Sequence, residues 1–224
     1  MKIVSRVLQN PAPATSPPLS RRQRHSAAVR QRLFDAAMRM FAERGFVKTT
    51  VEDITDAADV GKGTFFNYFR SKEELLNSFG ETRIAKIQTA LREAVEGHDP
   101  IKIVVRRLYF NLTREPTRTR ELTRSMMLTM LSNERVREFA CARLQQSGAL
   151  TAKIFSLGQE RGEVRTDVRA ADLAQSFKES QFGAMLLWSL MPSARLNSTI
   201  TRAFNHFWAG AGAARPADTK GGRR

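Results

Sequence analysis

Thr50-Val51-Glu52-Asp53-Ile54-Thr55-Asp56-Ala57-Ala58-Asp59-Val60-Gly61-Lys62-Gly63-Thr64-Phe65-Phe66-Asn67-Tyr68-Phe69 is the stretch that decides how this 224-residue chain is read. It predicts two short helices joined by a tight turn. Thr50 followed three residues later by Asp53 forms a capping box, with Thr49 and Glu52 an alternative one residue earlier. Val51, Ile54 and Ala58 then recur at helical spacing. In the turn, Asp59 tolerates the left-handed conformation and Gly61 can cap the helix that follows, from Lys62 to about Phe69. The pattern is a helix-turn-helix, an arrangement shaped to enter a DNA groove.

A helical wheel divides the second helix by role. Phe65 and Phe69 share one side and are expected to pack against the preceding helices. Lys62, Gly63, Phe66 and Asn67 fall together on an exposed side. Lys62 offers donors to guanine, Asn67 a bidentate contact to adenine and Phe66 an apolar contact to a thymine methyl, while Gly63 permits close backbone approach. Thr64, Tyr68 and Lys72 are placed to hold phosphates and fix register, and Thr50 joins the set from the first helix.

The run from Leu33 to Leu76 resembles the N-terminal domain of the TetR/AcrR family of bacterial transcriptional regulators. The resemblance lies in Ala36-Ala37, Phe41-Ala42-Glu43-Arg44-Gly45-Phe46, Thr49-Thr50-Val51, Asp53-Ile54, Ala57-Ala58, Val60 to Phe69, and Ser71-Lys72-Glu73-Glu74-Leu75-Leu76. Two positions depart from the family pattern. Asp59 stands where the family often has Gly, and Phe66 where it often has Tyr, which leaves no hydroxyl there. The resemblance implies an all-α protein with a three-helix DNA-binding domain followed by a helical ligand-binding and dimerisation domain. It implies a dimer on a palindromic DNA operator, released by a small apolar or amphipathic inducer.

Charge supports this only in part. The chain carries a formal +15, which suggests a polyanionic partner. Residues 26–79, the expected DNA-binding domain, hold eight basic and eight acidic groups, so the motif carries the argument and bulk charge does not. Residues 1–25 hold five basic and no acidic groups. With Pro11, Pro13, Pro17 and Pro18 they read as a disordered arm, either a solvated tail or a segment whose Arg21, Arg22 and Arg24 reach a minor groove. Residues 209–224 read as a disordered tail.

From about residue 80 only helices are expected, at roughly 81–96, 100–113, 117–132, 134–160, 170–190 and 196–208, within a domain of residues 80–208. A first helix over 28–44, stopped by Gly45, and a fourth beginning at Lys72 complete the set. The last two helices carry apolar residues on more than one side and must be buried somewhere. Phe177, Ala184, Trp188, Ile200, Phe204 and Trp208 are the expected dimer interface, since the family packs this pair against its twin as a four-helix bundle. The middle helices hold Tyr109, Phe110, Met126, Met127, Met130 and Phe139, a Met-rich and aromatic set suited to an adaptable ligand pocket. Arg124, if it faced inward, would favour an anionic or carbonyl-bearing ligand, but it reads first as a solvated side chain.

Cys141 is the only cysteine and reads as a small buried residue of a reducing, cytoplasmic environment. No apolar run reaches transmembrane length, so no membrane partner is expected. His25, His98 and His206 lie far apart, no HExxH, GxSxG or paired-Cys spacing occurs, and Gly61-Lys62-Gly63-Thr64 lacks the earlier glycine of a P-loop because position 56 is Asp. Neither enzymatic activity, a metal site nor a cofactor is expected.

Overall fold

The computed structural model describes residues 20–114 and 116–213. Among them are nine helices: α1 (Arg21–Arg44), α2 (Val51–Ala57), α3 (Lys62–Phe66), α4 (Lys72–Glu96), α5 (Ile101–Thr113), α6 (Arg120–Ser132), α7 (Glu134–Glu160), α8 (Ala170–Leu190) and α9 (Leu196–Ala211). The only extended pairing in this range is an isolated bridge between Val164 and Gly212.

The first helix starts seven residues before its expected position. Ser20 and Gln23 close a capping box, with Gln23 N–H donating to Ser20 Oγ at 3.2 Å and Ser20 N–H to Gln23 Oε1 at 2.8 Å. Residues 21–25, assigned above to the arm, are therefore the exposed first turns of α1. The remainder of the arm lies outside the described residues, as does most of the tail, of which residues 209–211 belong to α9. Gly45 ends α1 at φ 80°, a region that only glycine enters without strain.

Two apolar cores organise the chain. In the first, Leu33, Ala36, Ala37 and Phe41 of α1 meet Ile54 of α2, Phe65 of α3 and Leu75 of α4. Each such large side chain, fully buried, contributes ~1.5–3 kcal/mol. Leu122 of α6 and Val136 of α7 join the same core, so the small N-terminal helices are braced by the second half of the chain. The second core gathers Ile87, Leu108, Tyr109, Phe155, Phe177 and Phe204 from α4, α5, α7, α8 and α9.

The helix α4 belongs to both. It is continuous from Lys72 to Glu96, where a break near residue 80 was expected. Gly80 sits inside it because α7 passes there at close range: a Cβ at that position would stand 2.5 Å from Arg143 Cγ. The other end of the molecule is clamped by Arg120 of α6. Its guanidinium donates to the carbonyls of Met191 at 2.8 Å, Ala194 at 2.6 Å and Trp188, capping the C-terminus of α8. Arg124 does not face inward. It is exposed and joins the same clamp through Ser189 O at 2.7 Å.

Candidate nucleic-acid interface and inner cavity

The helix-turn-helix is held by short polar ties at its margins. Thr50 caps α2, with Asp53 N–H donating to Thr50 Oγ1 at 3.1 Å, while Thr50 N–H and O–H both donate to Asp53 Oδ2 at 2.8 Å. These bonds, the backbone one foremost, hold the Asp53 carboxyl below its ordinary range. Arg44 of α1 reaches the same carboxylate at 3.1 Å. Thr49 O–H donates to Gly45 O at 2.8 Å, closing the loop between α1 and α2. In the turn, Asp59 adopts φ 52° as its short polar side chain allows, while Gly61 keeps an ordinary negative φ of −70°.

The expected division of α3 holds in space. Phe65 and Phe69 are buried against each other, ring centroids 5.6 Å apart. Lys62, Gly63, Phe66 and Asn67 are exposed, and Thr64 and Tyr68 are half-buried on the flank. The helix itself ends at Phe66, shorter than expected, but the backbone stays coiled through Asn67 N–H to Gly63 O and Phe69 N–H to Phe65 O. Phe66 leaves 49% of its surface open, a high value for a side chain that a core would otherwise claim. A Cβ at Gly63 would meet nothing within 4 Å, so no internal packing explains a glycine there.

Two residues, Lys72 and Thr50, depart from their expected roles. Lys72 is not free to hold a phosphate. Its ammonium donates to the carbonyls of Phe46 at 2.8 Å and Thr49 at 2.9 Å and lies 4.5 Å from the centre of the Phe46 ring. It is a brace between α4 and the α1–α2 loop. Thr50 likewise spends both its backbone and its side-chain donor on the cap. Lys62 is exposed but paired with Glu52 of α2, and that bond is the main reason the Glu52 carboxyl lies below its ordinary range.

A cavity of about 130 Å³ lies between α4, α6, α7 and α8. Met126, Met127, Met130 and Phe139 line it as expected, together with Phe79, Leu144 and Phe182. Tyr109 and Phe110 do not. Tyr109 is fully buried in the second core, edge-on to Phe177 at 5.2 Å, with its O–H 3.0 Å from Ser180 Oγ. Phe110 packs against that core, half-buried. Spacing alone placed both on an apolar helix face and could not say which face meets the cavity.

Sequence reasoning missed Arg83, which stands on the cavity wall. Its Nη1 donates to Gln181 Oε1 at 2.8 Å, and Gln181 in turn donates to Tyr109 O at 3.0 Å. Its Nε is buried without a hydrogen-bond partner. Burial pushes its pKa down to about 10, so it is still a cation at neutral pH. A signal existed: Leu76, Phe79, Arg83 and Ile87 fall on one helical stripe, so the arginine interrupts an apolar face.

The expected dimer residues are also placed differently. Phe177, Ala184, Trp188, Ile200 and Phe204 are buried within the chain itself, and Trp208 is half-buried, stacked on Phe204 at 6.3 Å. The apolar side chains that α8 leaves outside are Leu186, Leu187 and Leu190, continued by Met191. Cys141 is exposed on α7, not buried.

Residues 33–79 match the model of the family described as bacterial regulatory proteins, tetR family. The transcriptional repressor DhaR of Mycobacterium sp. strain GP1 is 32% identical over 163 residues, which cover 70% of this chain and 81% of that protein. The chain belongs to the tetR family. It is accordingly a DNA-binding transcriptional regulator with a helix-turn-helix reading head. Among solved structures, the TetR-family repressor FadR of Thermus thermophilus, determined with lauroyl-CoA, is 28% identical. Its TM-score is 0.60, covering 86% of this chain and all of that one. Salmonella enterica GusR shares the fold at a TM-score of 0.63, with 24% identity over 82% of this chain and 95% of its own. No helix among the described residues is long and apolar enough to cross a membrane.

Proposed function

We propose that this tetR-family regulator is a homodimeric repressor that inserts α3 of each subunit into successive major grooves of a palindromic operator, ~34 Å or somewhat more apart. The observation that carries the reading is the outward set Lys62, Gly63, Phe66 and Asn67, exposed to solvent and chemically suited to base edges. Tyr68 and Thr64 on the flank contact phosphates. Leu186, Leu187 and Leu190 contribute the subunit contact, in place of the stripe already used inside the chain.

A small molecule in the cavity relieves repression. Support comes from α4, which lines the cavity through Leu76, Asn77, Phe79 and Arg83 and grips the α1–α2 loop through Lys72 in its first turn. Any shift of α4 that enlarges the cavity therefore moves the reading head. Coupling of this kind is worth ~1–3 kcal/mol between the two sites.

The test is selection of binding sites from random duplex DNA by the purified protein. The reading predicts an enriched inverted repeat. Salt-sensitive binding with no enriched motif would instead indicate an architectural protein that grips DNA through its basic segments, and would end the operator reading.

A further inference from the structure

The cavity is apolar over most of its wall, yet Arg83 stands on it with a buried, unpartnered Nε. The residue as a whole is half-buried, its guanidinium 5.9 Å from the centre of the Phe182 ring, and a partly desolvated cation without a counter-charge costs stability. Among the described residues no carboxylate pairs with Arg83. Its one hydrogen-bond partner is the neutral amide of Gln181, which is itself held by Tyr109 O.

The other charged groups on the wall are committed elsewhere or distant. Arg143 donates to Asn77 Oδ1 at 3.2 Å and pairs with Glu81 at 3.6 Å. Lys86 donates to Asn111 O at 2.7 Å. Glu73 is the carboxylate of the wall, but it lies ten positions earlier in α4, ~15 Å away along the axis. Among the described residues, the buried polar side-chain atom of the wall left without a bond is Arg83 Nε, and the methionines around it can adapt to a body of variable shape.

We infer that the ligand of this cavity is an amphipathic carboxylic acid, whose carboxylate pairs with the Arg83 guanidinium while its apolar body lies among Met126, Met127, Met130 and Phe139. This rests on the reading of the cavity as a ligand site and adds the chemistry of the ligand. Charge pairing at a largely apolar wall gives the discrimination, because a neutral analogue would leave the Arg83 cation without a counter-charge. A volume of about 130 Å³ is roughly ten times what one water needs, which admits a chain or ring of several carbons.

The experiment is calorimetric titration of the full chain with matched acid and alcohol pairs, decanoate with decanol and 4-phenylbutyrate with 4-phenylbutanol. Wild type should bind the acid of at least one pair about 30-fold more tightly than its alcohol. Arg83→Met should erase that preference while keeping the alcohol affinity, and Arg83→Lys should retain part of it. Arg83→Met should keep a single cooperative melt within about 5 °C of wild type, the relief of the uncompensated charge being offset by the Gln181 Oε1 left without its donor, which shows that the variant is folded. Equal binding of acid and alcohol by wild type, or an undiminished preference in Arg83→Met, overturns the inference and leaves the cavity reading intact. Binding of no member of either pair overturns both. An acid that binds as expected yet leaves operator binding unchanged supports the inference and ends the inducer reading.

Discussion

At the scale of single residues, the reading head separates side chains that hold it together from side chains it offers outward. Lys72 and Lys62 illustrate the difference. Both are lysines in or near α3, but Lys72 is bonded to three loop carbonyls, whereas Lys62 has a single exposed partner, Glu52. Replacing Lys72 by Ala should lower stability by about 2 kcal/mol and weaken binding to all duplexes, without changing the slope of affinity against salt. Replacing Lys62 by Ala should leave thermal stability nearly unchanged and reduce that slope by up to ~0.9, because a lysine docked at a guanine edge also releases counterions. Parallel melting curves and salt titrations separate the two. Asp53 adds a pH dependence. Its carboxyl is held low by the Thr50 N–H and O–H, with Arg44 a smaller contribution. A depressed carboxyl stabilises the fold above its unfolded pKa of ~4 and loses that contribution as pH falls through the lower folded value. The wild-type melting temperature should therefore fall faster than that of Asp53→Asn as the pH is lowered from about 5 to about 3.

At the scale of elements, what the sequence showed depended on whether the deciding contacts were local. The faces of α3 and the turn that continues it were legible because Phe65 and Phe69 against Lys62, Gly63, Phe66 and Asn67 is a contrast within one short coiled stretch. The early start of α1 carried a local signal too, the Ser20–Gln23 capping box, but it is followed by a run of Arg, Gln and His with no apolar period to support it. Partner choice was not legible. Phe177, Ile200 and Phe204 form apolar stripes whether a twin subunit or the chain's own α5 and α7 covers them, and the second case holds for the described residues. Cys141 shows the same limit on one helix. Val136, Ser147, Thr151 and Ile154 set the inward phase of α7, and Cys141 falls off it. Gly80 tests the α4–α7 contact. Alanine is the better helix former by ~1 kcal/mol, yet the added Cβ would meet Arg143 Cγ at 2.5 Å. Gly80→Ala should therefore destabilise by about 1 kcal/mol net, whereas in an Arg143→Ala background, where only the Cβ of residue 143 at 3.0 Å remains, the same change should cost measurably less. Denaturant titration of the four proteins closes this cycle.

At the scale of the whole molecule, α4 is the element shared by both halves. It contributes Leu75 to the first core and Ile87 to the second, and its wall residues Leu76 and Arg83 stand on the cavity between them. The bracing of the N-terminal helices by Leu122 and Val136 keeps the reading head from moving independently of α6 and α7. A ligand that displaces α4 against that bracing has a direct route to the α1–α2 loop through Lys72, while Arg120 holds the far end of α8 fixed. The central claim is that the outward face of α3 reads bases. The most direct measurement is to repeat the selection from random duplex DNA with Asn67→Ala and compare its motif with that of wild type. The account predicts the same inverted repeat with preference relaxed at one position in each half-site, worth ~1–3 kcal/mol there. An unchanged motif, or an equal loss of affinity at every position, would contradict it.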